Sequence, residues 1–222
     1  MKKILFLSII FLSFSLYGDS SLIEKLYQKM VPVYEKYEGV LSVRDITAVS
    51  RDPENGEVLK RFEARIERRD HFYKTPQIKA LKYVENGKER RTSRYDTREI
   101  EPLHPVFDKN GKVHYDLKIA GSETVSGRKC VKIEVIPKSE TTRHFKGHIF
   151  VDPEKLEIVR MTGSPAKLHW AMLHFSFDYH FDSLEGFPVL SRGTVKARVR
   201  VPLIISDNIT DYTLKAVSNR FY

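Results

Sequence analysis

Apolar and polar residues alternate along most of the chain after Gly39, and a period of two residues is typical of strands with one buried face. The first two runs, "VLSVRDITAVS" and "VLKRFEARIERR", are separated by "RDPENGE", whose Asp, Pro, Asn and Gly residues favour a turn. In the second run Phe62, Ala64 and Ile66 share one face, and charged residues occupy the other. Because one wet face is typical of antiparallel sheets, the pattern predicts a β-hairpin in an antiparallel sheet.

The alternation returns at Asp116 and continues to the end of the chain. Its apolar positions include Val131, Ile133 and Val135, followed by the aromatic run "LHFSFDYHF" and the valine-rich run "TVKARVRV". The stretch from Asn86 to Asp116 is charged and contains prolines, which predicts a loop-rich excursion or a lid. We count nine to eleven strands, and sheets of that size tend to curl. The prediction is an α+β domain built on a strongly curved antiparallel sheet with an apolar concave face.

A helical period precedes the strands, in "DSSLIEKLYQKMVPVYEKYEG". Its apolar positions recur at three- and four-residue spacing: Leu22, Leu26, Met30 and Val33. This predicts one amphipathic helix from Ser21 to Tyr37, capped by Ser20 or Ser21 and covering part of the sheet. Pro32 lies inside the pattern and predicts a kink or an early end.

The first eighteen residues have the character of a secretory signal peptide. Lys2 and Lys3 precede an apolar run of 13 residues from Ile4 to Leu16, and small or polar residues follow it. The run is shorter than the roughly 20 residues that a membrane-spanning helix needs, so a retained anchor is the weaker interpretation. We expect residues 1–18 to be removed, with cleavage between residues 15 and 20, and residues 19–222 to form one exported domain.

The cysteine content and the net charge limit the classes of function that fit this chain. Cys130 is the only cysteine, so an exported form has no intramolecular disulfide and no lipid-modified cysteine near the exit of the signal. We expect Cys130 to be a structural thiol. The formal net charge of +9 suits anionic lipid headgroups or acidic polymers, although a basic surface without such a partner fits equally well. Nucleic acid is the least accessible polyanion for an exported protein.

Sequence motifs of common enzymes are absent: there is no Gly-rich phosphate loop, no Gly-x-Ser-x-Gly and no His-Glu-x-x-His. His174, Asp178 and His180 share a strand face, where residues two and four apart lie at roughly 7 and 13 Å at about 3.3 Å per residue. His174 and His180 are therefore too far apart to share one ion without a bulge, and Asp178 with His180 alone would form only part of a site. His144 and His148, four apart on a presumed strand, are expected on the solvent face. The sequence therefore predicts no catalytic residue, no metal ligand and no cofactor, with a metal-dependent hydrolase as the weakest alternative.

The segment "FKGHIFVDPEKLEIVRMTG" could be a catalytic stretch with several carboxylates, or two strands and their turn. Asp152 and Pro153 are turn formers, and an aspartate at that position accepts backbone N–H bonds. We therefore predict a hairpin with Asp152 at its turn.

The region from Tyr115 to Leu214 resembles a known family. The segments "GSETVSGRKCVKIEVIPK", "FKGHIFVDPEKLEIVRMTGSPAK" and "GFPVLSRGTVKARVRVPLIISDNITDY" are similar to those of exported outer membrane lipoprotein-sorting proteins, in the superfamily of LolA, LolB and RseB. The resemblance implies an unclosed β-barrel of about eleven antiparallel strands with covering helices. It also implies a hydrophobic cavity for acyl chains, and no reaction.

Taken with that resemblance, the sequence predicts a non-enzymatic periplasmic carrier or binding protein for a lipid or lipoprotein acyl chain. Its place would be in lipoprotein sorting or envelope lipid transport, with peripheral membrane contact possible. The alternative is a sensor of the RseB type that binds an envelope membrane protein. Strand alternation predicts the cavity lining, and the same positions fit an ordinary packed core: Phe62, Ile66, Val131, Ile133, Val135, Phe175, Phe177, Val195 and Val199.

Overall fold

The computed structural model describes residues 16–91, 103–201 and 206–222. Most of the predicted signal peptide and of the charged stretch after Arg91 therefore lies outside the described residues. The elements are α1 (Leu16–Lys36), β1 (Gly39–Arg51), β2 (Val58–His71), β3 (Gln77–Glu85), β4 (Lys88–Glu89), α2 (Gly111–His114), β5 (Tyr115–Val125), β6 (Arg128–Pro137), β7 (Phe145–Asp152), β8 (Glu157–Pro165), β9 (Met172–Leu184), β10 (Phe187–Val201) and β11 (Ser206–Phe221).

The eleven strands in the described residues form one antiparallel sheet in the order β4-β3-β2-β1-β11-β10-β9-β8-β7-β6-β5. Most neighbours are consecutive hairpins, and the last strand, β11, lies between β1 and β10. The edges, β4 and β5, do not pair with each other, so the sheet is not closed. The predicted unclosed antiparallel sheet is confirmed, and its helical component is small.

The sheet is strongly curved around its inner face. In a flat sheet β2 and β10 would be about 14 Å apart, which is three strand spacings. The ring of Phe72, directly after β2, nevertheless lies 5.3 Å from the ring of Phe187 on β10, measured between ring centroids. Curvature therefore brings the two strands together across the concave side.

Helix α1 lies in the concave face and is longer than predicted. It begins by Leu16, so the expected cap at Ser20 or Ser21 is not its start. It also continues beyond Pro32 to Lys36, so the early end predicted there is wrong. The turn after the proline is held by the Tyr37 N–H, which donates to the Val33 carbonyl at 3.1 Å, and by packing on the sheet. Among the described helices, none combines the length and apolar character of a membrane span.

The main core lies between α1 and the inner face of the sheet. Leu26 and Met30 of the helix pack with strand residues that include Ile133, Phe145 and Ile149, all nearly inaccessible to solvent. At the far end of the helix the ring of Tyr34 makes edge contacts with Phe72 and Phe187. Lys29 Nζ donates to the carbonyls of Lys155 and Leu156 in the β7–β8 turn at 3.0 and 2.9 Å. The amphipathic pattern thus predicted the buried face of α1.

The segment before α2 is also part of the core. Irregular structure was predicted from Asn86 to Asp116, and residues 103–110 are irregular as expected. Val106 and Phe107 are nevertheless buried, and Phe107 makes an edge contact with Tyr27 of α1. Interpreting the whole stretch as an excursion from the sheet was therefore wrong for this part. Two apolar residues in succession have no period, so alternation could not reveal their burial.

The β7–β8 hairpin and Cys130 follow the prediction. Asp152 Oδ1 accepts the backbone N–H groups of Glu154 and Lys155 at 3.1 and 3.2 Å, so its carboxylate organises the turn. Cys130 is fully buried in a small outer-face cluster with Phe150. Burial raises the pKa of its thiol, which keeps it protonated and unreactive.

Candidate ligand-binding site

Strand register places the nine predicted lining residues on one face of the sheet. Directly paired residues point to the same face, and such pairs connect five residues in turn: Phe62 with Ala48, Ala48 with Tyr212, Tyr212 with Val195, and Val195 with Phe177. These five side chains form what we call the apolar row. It crosses four strand spacings, or about 19 Å.

The same face continues beyond Phe177 into the other half of the sheet. Phe177 pairs with Gly163, Gly163 with Gly147, and Gly147 with Val135. The remaining predicted residues follow by alternation along their own strands: Ile66, Val131, Ile133, Phe175 and Val199. The face predicted from the sequence is therefore one continuous surface.

That surface is covered unevenly. Ile133, Val135 and Phe177 belong to the core under α1, and Val131, Phe175 and Val195 pack against it. Phe62, Ile66 and Val199 lie outside that cluster, although Ile66 is itself buried. Phe62 is half-buried and contacts the rings of Tyr83 and Tyr212. The apolar row thus begins inside the core and leaves it towards β2.

A cavity of about 420 Å³ opens at the core end of the apolar row. It lies where β8 and β9 separate, because the ladder between them ends at the Gly163–Phe177 pair. Its apolar wall includes Phe175 and Phe177, which were both predicted, together with Pro165, Ala166 and Leu168. Its polar side chains are Lys146, Thr162, Ser164, His174 and Ser176.

Local sequence explains why the strands separate there. Pro165 ends β8 and has no N–H to offer to a neighbouring strand. Just before it, β7 and β8 approach so closely that a Cβ on Gly147 would lie 2.0 Å from the Thr162 carbonyl oxygen. Glycine is therefore required at position 147 of β7. Strand β8 stays paired with β7 here, whereas β9 stays paired with β10, so β8 and β9 move apart. A cavity with an apolar wall and a cationic, hydroxyl-bearing rim can accept a molecule with a long apolar part and a polar head.

One charged cluster on the inner face was missed by the sequence analysis. Asp70 binds the guanidinium groups of both Arg44 and Arg68, and Arg44 Nε also donates to Ser42 Oγ at 2.8 Å. The Arg44 side chain is only 12% exposed. Arg68 and Asp70 are separated from Phe62 and Ile66 by even numbers of positions along β2, so alternation places all four on the same face. That spacing was the evidence in the sequence for an inner-face position.

The histidines discussed from the sequence lie in different environments. His174 and His180 are on the outer face of β9, and both oxygens of Asp178 accept N–H bonds from Arg160 at 2.8 Å. The prediction that His144 faces solvent is wrong, because its side chain is buried. His144 precedes the first residue of β7, so strand alternation does not apply to it.

Known proteins that are similar to this chain are found among solved structures. No model of a known protein family matches the sequence, and no curated protein matches it. Three solved structures are similar over nine tenths of the chain or more. A domain described as an outer membrane lipoprotein-sorting protein, from Vibrio parahaemolyticus, is 8% identical, with 92% of each chain covered and a TM-score of 0.47. A LolA superfamily protein from Nitrosomonas europaea is 10% identical, with 91% of this chain and 93% of its own covered and a TM-score of 0.44.

The third is a DUF1329 family protein from Desulfovibrio piger, which is 13% identical, with 90% of this chain and 92% of its own covered and a TM-score of 0.43. The fold of this chain is defined directly by its own sheet order and register.

Proposed function

We propose that this protein is an exported, non-enzymatic carrier or binding protein for a lipid or lipoprotein acyl chain. The observation that carries the proposal is a cavity between β8 and β9 whose wall includes Phe177 of the apolar row and whose polar side chains lie on the outer-face side of the gap. The acyl chain would lie on Phe177, Val195 and the row beyond them, and its polar head would lie at the cavity rim near Lys146.

The size and chemistry of the cavity support this assignment. About 420 Å³ lies within the range of roughly 300–1,000 Å³ that is common for small-molecule sites. Phe175 and Phe177 supply apolar surface, whose burial contributes about 25 cal/mol per Å². Lys146 suits a carboxylate or phosphate head. An apolar wall with one cationic group at its rim favours amphiphiles over small polar metabolites.

The cellular role that we propose combines this site with the N-terminal sequence. The charged and apolar residues of positions 1–18 support export, and a periplasmic location then follows for an envelope with two membranes. Lipoprotein sorting or lipid transport across that compartment is the process that such a binding site would serve.

The test measures bound lipid and the effect of one position in the apolar row. Native mass spectrometry of gently purified protein should detect a lipid adduct, and the delipidated protein should bind a fluorescent fatty acid. Val195→Gln places a polar amide in the row, and we expect affinity to fall about tenfold or more, because about 1.5 kcal/mol of apolar burial is lost.

Val217→Gln is the matched control, since Val217 lies on the neighbouring strand and is 54% exposed. It should bind the probe like the unchanged protein. Equal affinity of the two variants, or a protein with neither adduct nor fatty-acid binding, contradicts the proposal. Recovery of one envelope membrane protein regardless of delipidation would instead favour a sensor.

A further inference from the structure

Three histidines far apart in the sequence converge beside the core. His104 lies two residues before Val106, His114 ends α2, and His144 directly precedes β7. Each offers one ring nitrogen, and these three nitrogens all lie within 4.8 Å of one another. The described residues contain no other group of three His, Cys, Asp or Glu side chains that meets this criterion.

The contact between His114 and His144 already has the spacing of a metal site. His144 Nε2 is 3.3 Å from His114 Nδ1. Two nitrogens bound to one tetrahedral Zn²⁺ at 2.0–2.1 Å are themselves about 3.3 Å apart. A metal ion at this position would therefore require little change in the separation of these two rings.

A neighbouring hydroxyl orients His144 for this role. Thr141 Oγ1 lies 2.6 Å from His144 Nδ1, on the opposite side of the ring from Nε2. If Nδ1 carries the proton and donates it to the hydroxyl, the lone pair of Nε2 points towards His114. Metal-binding histidines almost always have a partner of this kind on their second nitrogen, which fixes the ring and its tautomer.

Backbone hydrogen bonds hold all three residues in place. The His104 N–H donates to the Arg143 carbonyl at 2.8 Å, the His114 carbonyl accepts from the Lys138 N–H at 2.9 Å, and the His144 carbonyl accepts from the Ala166 N–H at 2.7 Å. The side chains therefore start from a preformed arrangement rather than from a loop that must close. Only His104 must adjust, because its ring is stacked on that of His114 at 3.9 Å and must tilt to complete the set.

The charged groups beside the cluster act on a bound cation in opposite directions. Arg143 opposes a bound cation at this place. The buried carboxyl group of Asp108, which interacts with His114, contributes charge of the opposite sign when ionised.

We infer that His104, His114 and His144 form a binding site for a divalent transition-metal ion of the zinc type. Imidazole nitrogens suit Zn²⁺, Cu²⁺ and Ni²⁺, and three histidines leave a fourth position for water or another ligand. A bound ion would tie the segment that carries Val106 and Phe107 to the start of β7. This role is separate from acyl-chain binding and does not depend on it.

The test uses protein freed of metal with a chelator and titrated with Zn²⁺ and Co²⁺. We expect one Zn²⁺ per chain by calorimetry, and a Co²⁺ absorption spectrum of the intense, tetrahedral kind. His104→Gln and His114→Gln should each lower affinity more than tenfold. His169→Gln is the control, because it removes an exposed histidine outside the cluster and should bind like the unchanged protein.

Thr141→Ala tests the arrangement without removing a ligand. Loss of a partner that orients a metal-bound histidine typically weakens binding by about 10–100-fold, and we expect a loss in that range. Circular dichroism checks that each variant is folded, and His104→Gln is the least disruptive because His104 is partly exposed. Binding that is absent, that is weaker than millimolar, or that survives both His104→Gln and His114→Gln overturns the inference.

Discussion

The core under α1 and the apolar row beyond it are built from the same alternation on the same face of the sheet, yet only the core is fully covered. Under the helix, Phe145 is 1% exposed and packs against Tyr115 and Phe177. In the row, Phe62 is half-buried and contacts Tyr83 and Tyr212. Alternation therefore determines which face a side chain occupies, whereas coverage depends on elements from elsewhere in the chain.

Simple dimensions explain the difference. A helix of 21 residues is about 31 Å long, whereas eleven strands measured across the sheet span about 48 Å. Helix α1 and the segment with Val106 and Phe107 cover the part of the sheet that forms the main core, which includes residues of β5 to β10 and Val40 of β1. Phe62 and Val199 lie outside that core. An incompletely covered apolar face is the property that a lipid-binding protein requires and that a purely structural core lacks.

The largest expected effect comes from one aromatic truncation on each side of this comparison. Phe145→Ala removes a fully buried ring and should lower the free energy of unfolding by about 3–5 kcal/mol. Phe62→Ala removes the same atoms from a half-buried position, so we expect about 1–2 kcal/mol. Urea unfolding followed by fluorescence measures both changes. Equal losses would mean that the row is as tightly packed as the core, and would argue against a ligand there.

The next largest effect on stability is expected at the charged cluster that lies between the core and the apolar row. Asp70→Asn leaves Arg44 and Arg68 without their shared carboxylate, and we expect a loss of about 2–3 kcal/mol because removing one partner of a buried pair leaves an uncompensated charge. Asp45→Asn is the control. Asp45 pairs with Arg65 on the exposed outer face, where the loss should stay below about 0.5 kcal/mol.

A similar loss of stability in both aspartate variants would show that the inner-face cluster is as well solvated as the outer-face pair. The apolar row would then be bordered by water at this end. The expected difference instead requires that the inner face near Arg44 is screened from solvent.

The sequence predicted the periodic features of the molecule and missed the non-local ones. The hairpin at Asp152 follows from the turn formers in its sequence, and the helix face around Met30 and the shared face of the nine lining residues follow from periods of 3.6 and two residues. The position of β11 beside β1 does not, because alternation carries no information on which strands pair. The inner-face position of Asp70 was missed because charged residues were assigned to the wet face.

The histidine cluster could not be predicted by comparing residues that are close together in the sequence. His104, His114 and His144 come from an irregular segment, a short helix and the residue before a strand. Only the return of the chain from α2 to β7 brings them together. The sequence analysis considered His144 with His148, four residues away, and that spacing proved irrelevant to the environment of His144.

The smallest expected effect concerns the ion pair that joins β8 to β9 just below the cavity. Hydrogen bonds from Arg160 hold the pKa of Asp178 below its ordinary value, so the pair stabilises the folded state above the unfolded-state pKa. We expect Asp178→Asn to cost about 0.5 kcal/mol at pH 7, a small value because the pair is partly exposed. As pH falls below about 4, the unchanged protein loses this contribution progressively, and the loss is complete only below the lowered pKa of the folded state, so the difference between the two should shrink. Urea unfolding at pH 7, 5, 4 and 3 tests this, and a difference as large at pH 3 as at pH 7 would show that Asp178 acts through something other than its charge.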